Sequence, residues 1–390
     1  MVDSLFLQPH YADNPYGILS DIRAETPVYK THLPDGAEVY FVTRYADVQA
    51  ALKDGRLFKN ISNVRHETAP VDPMYHANML KADPPEHTRL RALAHEAFTP
   101  KLVNQMRSHI QEIADKLLDA VQGQGEMDLI AAYAFPLPIT VICEMLGVPT
   151  ADEDRFRAWS SALIASGALS SETRVMIPEL QELTQYLFRL VQQKTQNPQE
   201  DLISKLIFVE QNGDKLNPIE LIATLVVLLV AGHETTVNLI GNGTLALLQH
   251  PDQFEKLKND PALIKPAVEE LLRYVNPVQF VNRYASVDLE IGGVSIPKGS
   301  HLLLSVASAD HDPAYEADPE TLNLASGSTQ HVAFGQGIHY CLGAPLARLE
   351  GEIALATLLR RCPNLRLHTE MLEWRPSLEI RGLKSLPVTF

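Results

Sequence analysis

Phe334-Gly335-Gln336-Gly337-Ile338-His339-Tyr340-Cys341-Leu342-Gly343 is a glycine-punctuated loop that ends in a cysteine where an alanine- and leucine-rich helical pattern begins. Its three glycines give the backbone access to left-handed and tightly folded conformations, in which N–H groups turn toward a single sulfur. The pattern that follows has Pro345 in its first turn and Leu346, Leu349 and Ile353 on one face. It predicts a helix whose positive end lies beside Cys341 and lowers the thiol pKa. A thiolate held in this way binds a metal or attacks a substrate. Cys143 and Cys362 lie in helix-like segments without such surroundings and read as small buried hydrophobes.

The most apolar stretch of the chain lies upstream. Asn217 can cap a helix with Pro218 at its first position and Glu220 three residues after the cap. The apolar run over residues 221–231 is shorter than the roughly 20 residues that cross a bilayer, and predicts a core helix apolar all round. Into it the sequence inserts Ala231-Gly232-His233-Glu234-Thr235-Thr236. Polar groups placed mid-core are expensive, so this hexapeptide reads as functional. The Thr235 hydroxyl can bond back to the Ala231 carbonyl and bend the helix there. A zinc-protease reading of His233-Glu234 needs a second histidine at 237, where Val237 stands. A dinucleotide loop at Gly335-x-Gly337 needs a third glycine, where Tyr340 stands. A third feature, Glu270-Leu271-Leu272-Arg273, puts opposite charges on one helical face, a pair that on exposed helices contributes under about 1 kcal/mol.

Taken together, the Phe-Gly-x-Gly-x-His-x-Cys-Leu-Gly loop, the Ala-Gly-His-Glu-Thr-Thr hexapeptide and the Glu-x-x-Arg pair resemble the cytochrome P-450 monooxygenases, in family order along essentially the whole chain. The resemblance implies haem b (iron protoporphyrin IX) with Cys341 as its axial thiolate and metal ligand, Phe334 and Gly335 lying in the haem loop. Thiolate ligation pushes electron density onto iron and favours O–O cleavage. Ala231 and Gly232 are then expected to leave room over the iron. Thr235 would hold a proton-donating water, and Glu234, where many relatives carry aspartate, would connect it to solvent. His87, Arg91, Arg283 and His339 stand at the positions that hold the haem propionates, buried carboxylates that demand cationic or strongly donating partners. His87 and Arg91 are four apart on a helix begun by Asp83-Pro84-Pro85 and point one way, while Arg89 points elsewhere, toward solvent or a partner. Glu270 and Arg273 become a structural ion pair behind the haem. The family's third partner is missing: Thr321 and Leu322 stand where arginine and phenylalanine are common, leaving His311 or a main-chain carbonyl to complete the network.

Composition agrees with one large domain spanning 1–390: the chain has 390 residues, 45% of them hydrophobic, and no linker-like run or repeat. Most segments read as helix, with short strand runs near 38–43 and 302–306. The fold class is therefore mainly α with a small β region, and the resemblance implies a haem lying between a long central helix and the cysteine-loop helix. The start of the chain has neither a basic region nor a sustained apolar core, and three cysteines without paired spacing suit a reducing compartment, so a cytoplasmic protein with no membrane anchor is expected. A net charge of -15 argues against nucleic acid. No flavin or iron–sulfur module is legible, so the resemblance implies a separate electron donor, a ferredoxin with ferredoxin reductase or a flavodoxin. That donor would dock on a basic patch drawn from Arg89, Lys101, Arg107, Arg348, Arg360 and Arg361. Segments expected around the pocket carry Met74, Met79, Leu80, Leu163, Ile164, Leu228, Val278 and Phe280. They suggest a mid-sized apolar substrate, and the resemblance implies its hydroxylation or epoxidation by O2. The pattern is nearest to bacterial members that oxidise macrolides and other secondary metabolites. A haem-binding sensor or carrier without turnover, and a non-haem acyl-transfer enzyme with Cys341 as nucleophile, are the alternatives.

Overall fold

Asn217 caps a helix as its sequence predicts: its Oδ1 accepts from the N–H of Ile219 at 2.9 Å and Glu220 at 3.0 Å, and Glu220 returns a bond to the Asn217 N–H at 2.9 Å. In the computed structural model, which describes residues 6, 11, 14–65, 77–165, 177–211, 213–326, 330–369 and 371–390, that helix carries the polar insertion at 231–236 and continues beyond it. It runs unbroken as Pro218–Gln249, 32 residues, and by length and composition alone is the one helix among the described residues able to cross a bilayer. Most of it is buried inside the protein, so it is the long core helix expected. Its polar residues do not interrupt it because the backbone bonds are satisfied within the helix whatever the side chains do.

Among the described residues the chain is mainly helical with small sheets, the class expected. It divides into two compact units, each assembled from separate stretches. The first comprises Met1–Thr68, Asn238–Cys341 and Pro363–Leu386. Its sheet contains β1 (Val28–His32), β2 (Glu38–Val42), β3 (Leu57–Phe58), β4 (Val281–Ala285) and β5 (His301–Leu304), in the order β1-β2-β5-β4-β3. β2 and β5 pair in parallel, Phe41 opposite Leu303, and the other pairs are antiparallel. Alternation along the strands sends Tyr40, Val42, Leu302 and Leu304 into one core with Val48 and Leu52. Val39, Phe41 and Leu303 enter a second core with Phe6, Leu19 and Phe280. A sheet covered on both faces explains the continuous apolar runs at 39–42 and 302–304. Phe280, read as pocket lining, instead packs edge-on against Phe41 in this core.

The second unit comprises Ala69–Val237, Leu342–Cys362 and Pro387–Phe390. Here the helix Ala344–Arg361 packs along Arg107–Asp119, tied by Gln111 Nε2 to Thr357 Oγ1 at 2.8 Å and by Asp115 to Arg360 at 2.9 Å and Arg361 at 3.1 Å. The buried Tyr133 hydroxyl donates to the Ala354 carbonyl at 2.8 Å. Of the expected pocket residues, Leu163 is fully buried, and Met74 and the Ile164 side chain lie outside the described residues.

Candidate active site

In the first unit the cysteine loop is built from backbone bonds. Gly335 N–H donates to Val332 O at 2.8 Å, Tyr340 N–H to Gly337 O at 3.1 Å, and Cys341 N–H to Phe334 O at 3.0 Å, which brings Phe334, Gly335 and Cys341 together. Gly335 and Gly337 take the left-handed conformation, φ 67° and 70°, where a side chain is strained. At Gly337 there is also no room, since a Cβ would sit 2.7 Å from the Leu52 carbonyl oxygen. The third glycine differs from the sequence expectation: Gly343, at φ −81°, is an ordinary residue capping Ala344–Arg361. Cys341 is in no disulfide and its side chain is half-buried, open enough for a ligand to reach. Arg283 is buried on β4, where its guanidinium donates to Asn282 O at 2.8 Å, and His339 is half-buried on the loop.

The same unit holds the Glu270–Arg273 pair on the helix Ile264–Val275, bidentate at 2.9 Å, with side chains 2% and 0% exposed. Arg273 also donates to the carbonyls of Asp310 (3.1 Å), Pro319 (2.9 Å) and Thr321 (3.2 Å), and Glu270 accepts from Asn323 N–H and Ser326 Oγ. Main-chain carbonyls therefore complete this network. His311 does not; its ring meets Glu320 at 3.2 Å and Tyr274 O at 3.0 Å. Burial lowers the Arg273 pKa, but Glu270, Asp310 and Glu316 together outweigh it and the net shift is upward. Sequence reasoning missed two neighbours. Glu269 reaches His331 Nε2 at 3.2 Å, and Asp310 accepts from Val332 N–H at 2.7 Å, both at the entrance to the cysteine loop. The Glu269-Glu270 doublet was the available signal for the first; nothing marked the second.

In the second unit, the central helix between Leu221 and Val237 is buried except at Leu228, Ala231, Gly232 and Thr235. Those four are spaced i, i+3, i+4, i+7, one narrow apolar stripe with small residues at its middle. Thr235 Oγ1 donates to Ala231 O at 3.2 Å, the back-bond expected. Gly232 also lets a neighbouring helix approach: a Cβ there would lie 3.3 Å from Ile142 Cδ1. Glu234 is buried, 1% exposed. His233 is a structural anchor, with Nδ1 donating to Leu229 O at 2.8 Å and Nε2 2.9 Å from Ser160 Oγ. Among the described residues no group of three or more histidines, cysteines and carboxylates is arranged to hold a metal. One further acid was not foreseen. Glu350 on the helix Ala344–Arg361 is fully buried, and desolvation pushes its pKa well up, opposed only by the Thr236 hydroxyl.

On the helix Glu86–Ala97, His87 is buried and Arg91 half-buried, one turn apart. Beside them Met79, Ala82, Leu90 and Ala94 cluster with Leu228. Arg89 is not directed to solvent or a partner, as the sequence suggested: it pairs with Glu220, with Glu86 at 2.9 Å and with Asp214 at 3.4 Å, and its pKa is raised, chiefly by Glu220. Arg107, Arg360 and Arg361 are likewise engaged, by Glu352, Asp115 and Asp119. Four of the six cations assigned to a basic patch are thus neutralised within the chain.

These features fit a haem on their own terms. An uncovered stripe of small and apolar residues on an otherwise buried helix suits a flat apolar ring. A half-buried thiol on a loop of left-handed glycines suits an iron ligand.

A family model described as cytochrome P-450 matches residues 161–373. The chain is 40% identical to the polyketide biosynthesis cytochrome P-450 PksS of Bacillus subtilis, over 100% of this chain and 99% of that protein. The solved PksS structure superposes with a TM-score of 0.91 over 98% of each chain. The vitamin D(3) 25-hydroxylase of Pseudonocardia autotrophica is 44% identical over 96% of this chain and 94% of its own. A structure of the cytochrome P-450 BioI in complex with acyl carrier protein ligated to hexadec-9Z-enoic acid is 38% identical, with a TM-score of 0.89 over 98% of this chain and 99% of that one.

Proposed function

Because this chain belongs to the cytochrome P-450 family and is a haem monooxygenase, we propose that it oxidises a mid-sized apolar substrate of polyketide, terpenoid, steroid or fatty-acyl type, using haem b held by Cys341. The observation that carries this reading is the open stripe Leu228, Ala231, Gly232 and Thr235, bordered by the apolar cluster of Met79, Ala82 and Leu90. An apolar wall with few polar groups selects by shape and burial. The polyketide and fatty-acyl titles among its relatives point the same way, and named hydroxylases speak against a passive haem carrier. The test is optical titration of the purified ferric protein with representatives of each class. A compound that binds in the pocket should shift the Soret band; no shift with any apolar compound at its solubility limit overturns the substrate class.

Haem, when bound, supplies the iron at which oxygen is activated, and a cysteine thiolate supplies the electron density that favours O–O cleavage. His87, Arg91, Arg283 and His339 are the propionate partners in this reading, and Phe334 and Gly335 shape the loop around the ring. The Thr235 hydroxyl has committed its proton to Ala231 O. It therefore presents only lone pairs to the stripe and holds a water that donates to it. Glu234, buried one residue earlier, replenishes the protons of that water while the surrounding core excludes bulk solvent. Thr235→Ala is expected to keep haem and substrate binding while most reducing equivalents appear as hydrogen peroxide. Product formed per NAD(P)H consumed checks this, and coupling equal to wild type removes Thr235 from the relay.

Electrons come from a separate redox protein, which we take to be a ferredoxin with its reductase or a flavodoxin in the bacterial cytoplasm. Arg89, Arg107, Arg360 and Arg361 are paired internally; of the cations expected to meet an acidic donor, Lys101 and Arg348 are the two we test. Lys101→Glu with Arg348→Glu should lower ferredoxin-supported turnover several-fold at low salt and flatten its salt dependence, since rim charges act on association rate. Arg89→Gln should leave the salt dependence alone. Turnover against ionic strength for both variants decides between them.

A further inference from the structure

The Glu270–Arg273 pair and the Cys341 loop are joined by a short, continuous relay of hydrogen bonds within the first unit, and one side chain stands at its middle. Arg273 donates to the carbonyl oxygen of Asp310 at 3.1 Å. The Asp310 side chain, through Oδ1, accepts from Val332 N–H at 2.7 Å. The Val332 carbonyl then accepts from Gly335 N–H at 2.8 Å, and Phe334 O from Cys341 N–H at 3.0 Å. Asp310 is fully buried at the end of the short helix Val306–Asp310, and its second oxygen has no hydrogen-bond partner among the described residues. A buried carboxyl with an idle oxygen is an expensive way to bind one N–H, since an amide or hydroxyl would do it without a charge. Its place, not its charge, is what the loop uses.

We propose that Asp310 is a positioning residue for the thiolate loop, clamping the entrance of the loop at Val332 to the frame held by Glu270 and Arg273. The proposal rests on the reading of Cys341 as the iron ligand. Around Asp310 stand His331 from the loop, His311 next along the chain, Arg273 from the helix Ile264–Val275 and Tyr45 from the helix Tyr45–Lys53. Burial raises the Asp310 pKa from 3.8 to about 6 against the pull of His331, the Val332 N–H bond, His311 and Arg273. A buried acid with a raised pKa stabilises the frame around it while protonated, so that frame loses stability as pH rises from about 4 to 6, although the Val332 bond itself favours the ionised carboxylate.

The test uses haem-loaded holoenzyme carrying Asp310→Ala or Asp310→Asn, with Cys341→Ser alongside. Two readouts do not depend on turnover: the carbon monoxide spectrum of the reduced protein, which separates thiolate from neutral-thiol ligation, and the rate of haem transfer to apomyoglobin. Asp310→Ala should convert part of the thiolate band to the thiol form and speed haem loss roughly tenfold or more, the effect of about 1.4 kcal/mol or above for a lost buried acceptor. Asp310→Asn keeps the oxygen that Val332 needs. It should restore both readouts to within about twofold and flatten the rise in haem loss that wild type shows between pH 4 and 6.

A wild-type spectrum and off-rate in Asp310→Ala overturn the proposal, as does an Asp310→Asn variant as damaged as alanine. If alanine prevents folding, the pH profile decides: parallel slopes for wild type and Asp310→Asn overturn it, and a flat asparagine profile supports it. Survival of the thiolate band in Cys341→Ser would sink the ligand reading and this proposal with it. Its loss there, with Asp310→Ala unmoved, sinks the clamp alone.

Discussion

Arg273→Ala is expected to leave almost no folded, haem-retaining protein. The guanidinium is fully buried, bidentate to Glu270, and the donor to three main-chain carbonyls at Asp310, Pro319 and Thr321. Alanine strips all of these at once and abandons a Glu270 carboxylate that is itself 2% exposed. Breaking a buried ion pair by removing one partner costs about 3–5 kcal/mol, because the survivor keeps its desolvation without its compensation. Three carbonyls that have lost their donor add to that. Against a total stability of roughly 5–15 kcal/mol, this takes the protein to the edge of unfolding. Arg273→Lys should fall between, since an ammonium holds one direction of the fork and not the others. Urea unfolding midpoints and haem-to-protein ratios measure both variants. An alanine variant within about 1 kcal/mol of wild type would mean that the network is not holding the loop region together.

That network also shows where sequence reading succeeds and where it stops. Glu270 and Arg273 were legible because their spacing matches a helical face, and the missing arginine downstream was legible as a departure. What replaced it was not, since main-chain carbonyls have no residue identity to read. The central helix was recognised from its cap, its apolar run and the polar hexapeptide set into it, while its far end at Gln249 had no signal, since Asn238 and Asn242 are buried polar residues on a helix that continues past them. Gly232 and Gly343 were read from residue type; one also admits Ile142 and the other is a plain helix cap. Arg89 was misread for the complementary reason: its partners Asp214 and Glu220 lie far away in sequence, and tertiary pairing of charges carries no local period. Local backbone demands and helical periods could be read off the chain. Pairings between distant polar groups could not.

Cys341→Ser isolates the remaining step, from loop to chemistry. The exchange replaces sulfur by oxygen in a half-buried side chain and leaves untouched the backbone bonds that shape the loop, among them Cys341 N–H to Phe334 O at 3.0 Å. The strained positions are glycines 335 and 337, not 341, so no conformational penalty is added. Stability of the fold should therefore move by less than about 1 kcal/mol, the range of substitutions that neither open a cavity nor orphan a buried group. The ligand changes entirely. A thiol ionises near neutral pH when N–H groups and a helix end favour the anion, whereas an alcohol does not, so electron donation toward the iron is lost. The reduced, carbon monoxide-treated wild type should show a strongly red-shifted Soret band that is absent in the variant, and monooxygenase turnover should fall by at least two orders of magnitude, about 2.7 kcal/mol or more of barrier. Cys143→Ser, inside a helix, and Cys362→Ser, at the C-cap of Ala344–Arg361, are both buried and should keep the band while losing some stability. A variant at 341 that kept the band, or a wild type that never shows it once loaded with haem, would return the chain's chemistry to an open question. Loss at 341 alone, with the fold intact, would tie the monooxygenase activity of the family to this one sulfur.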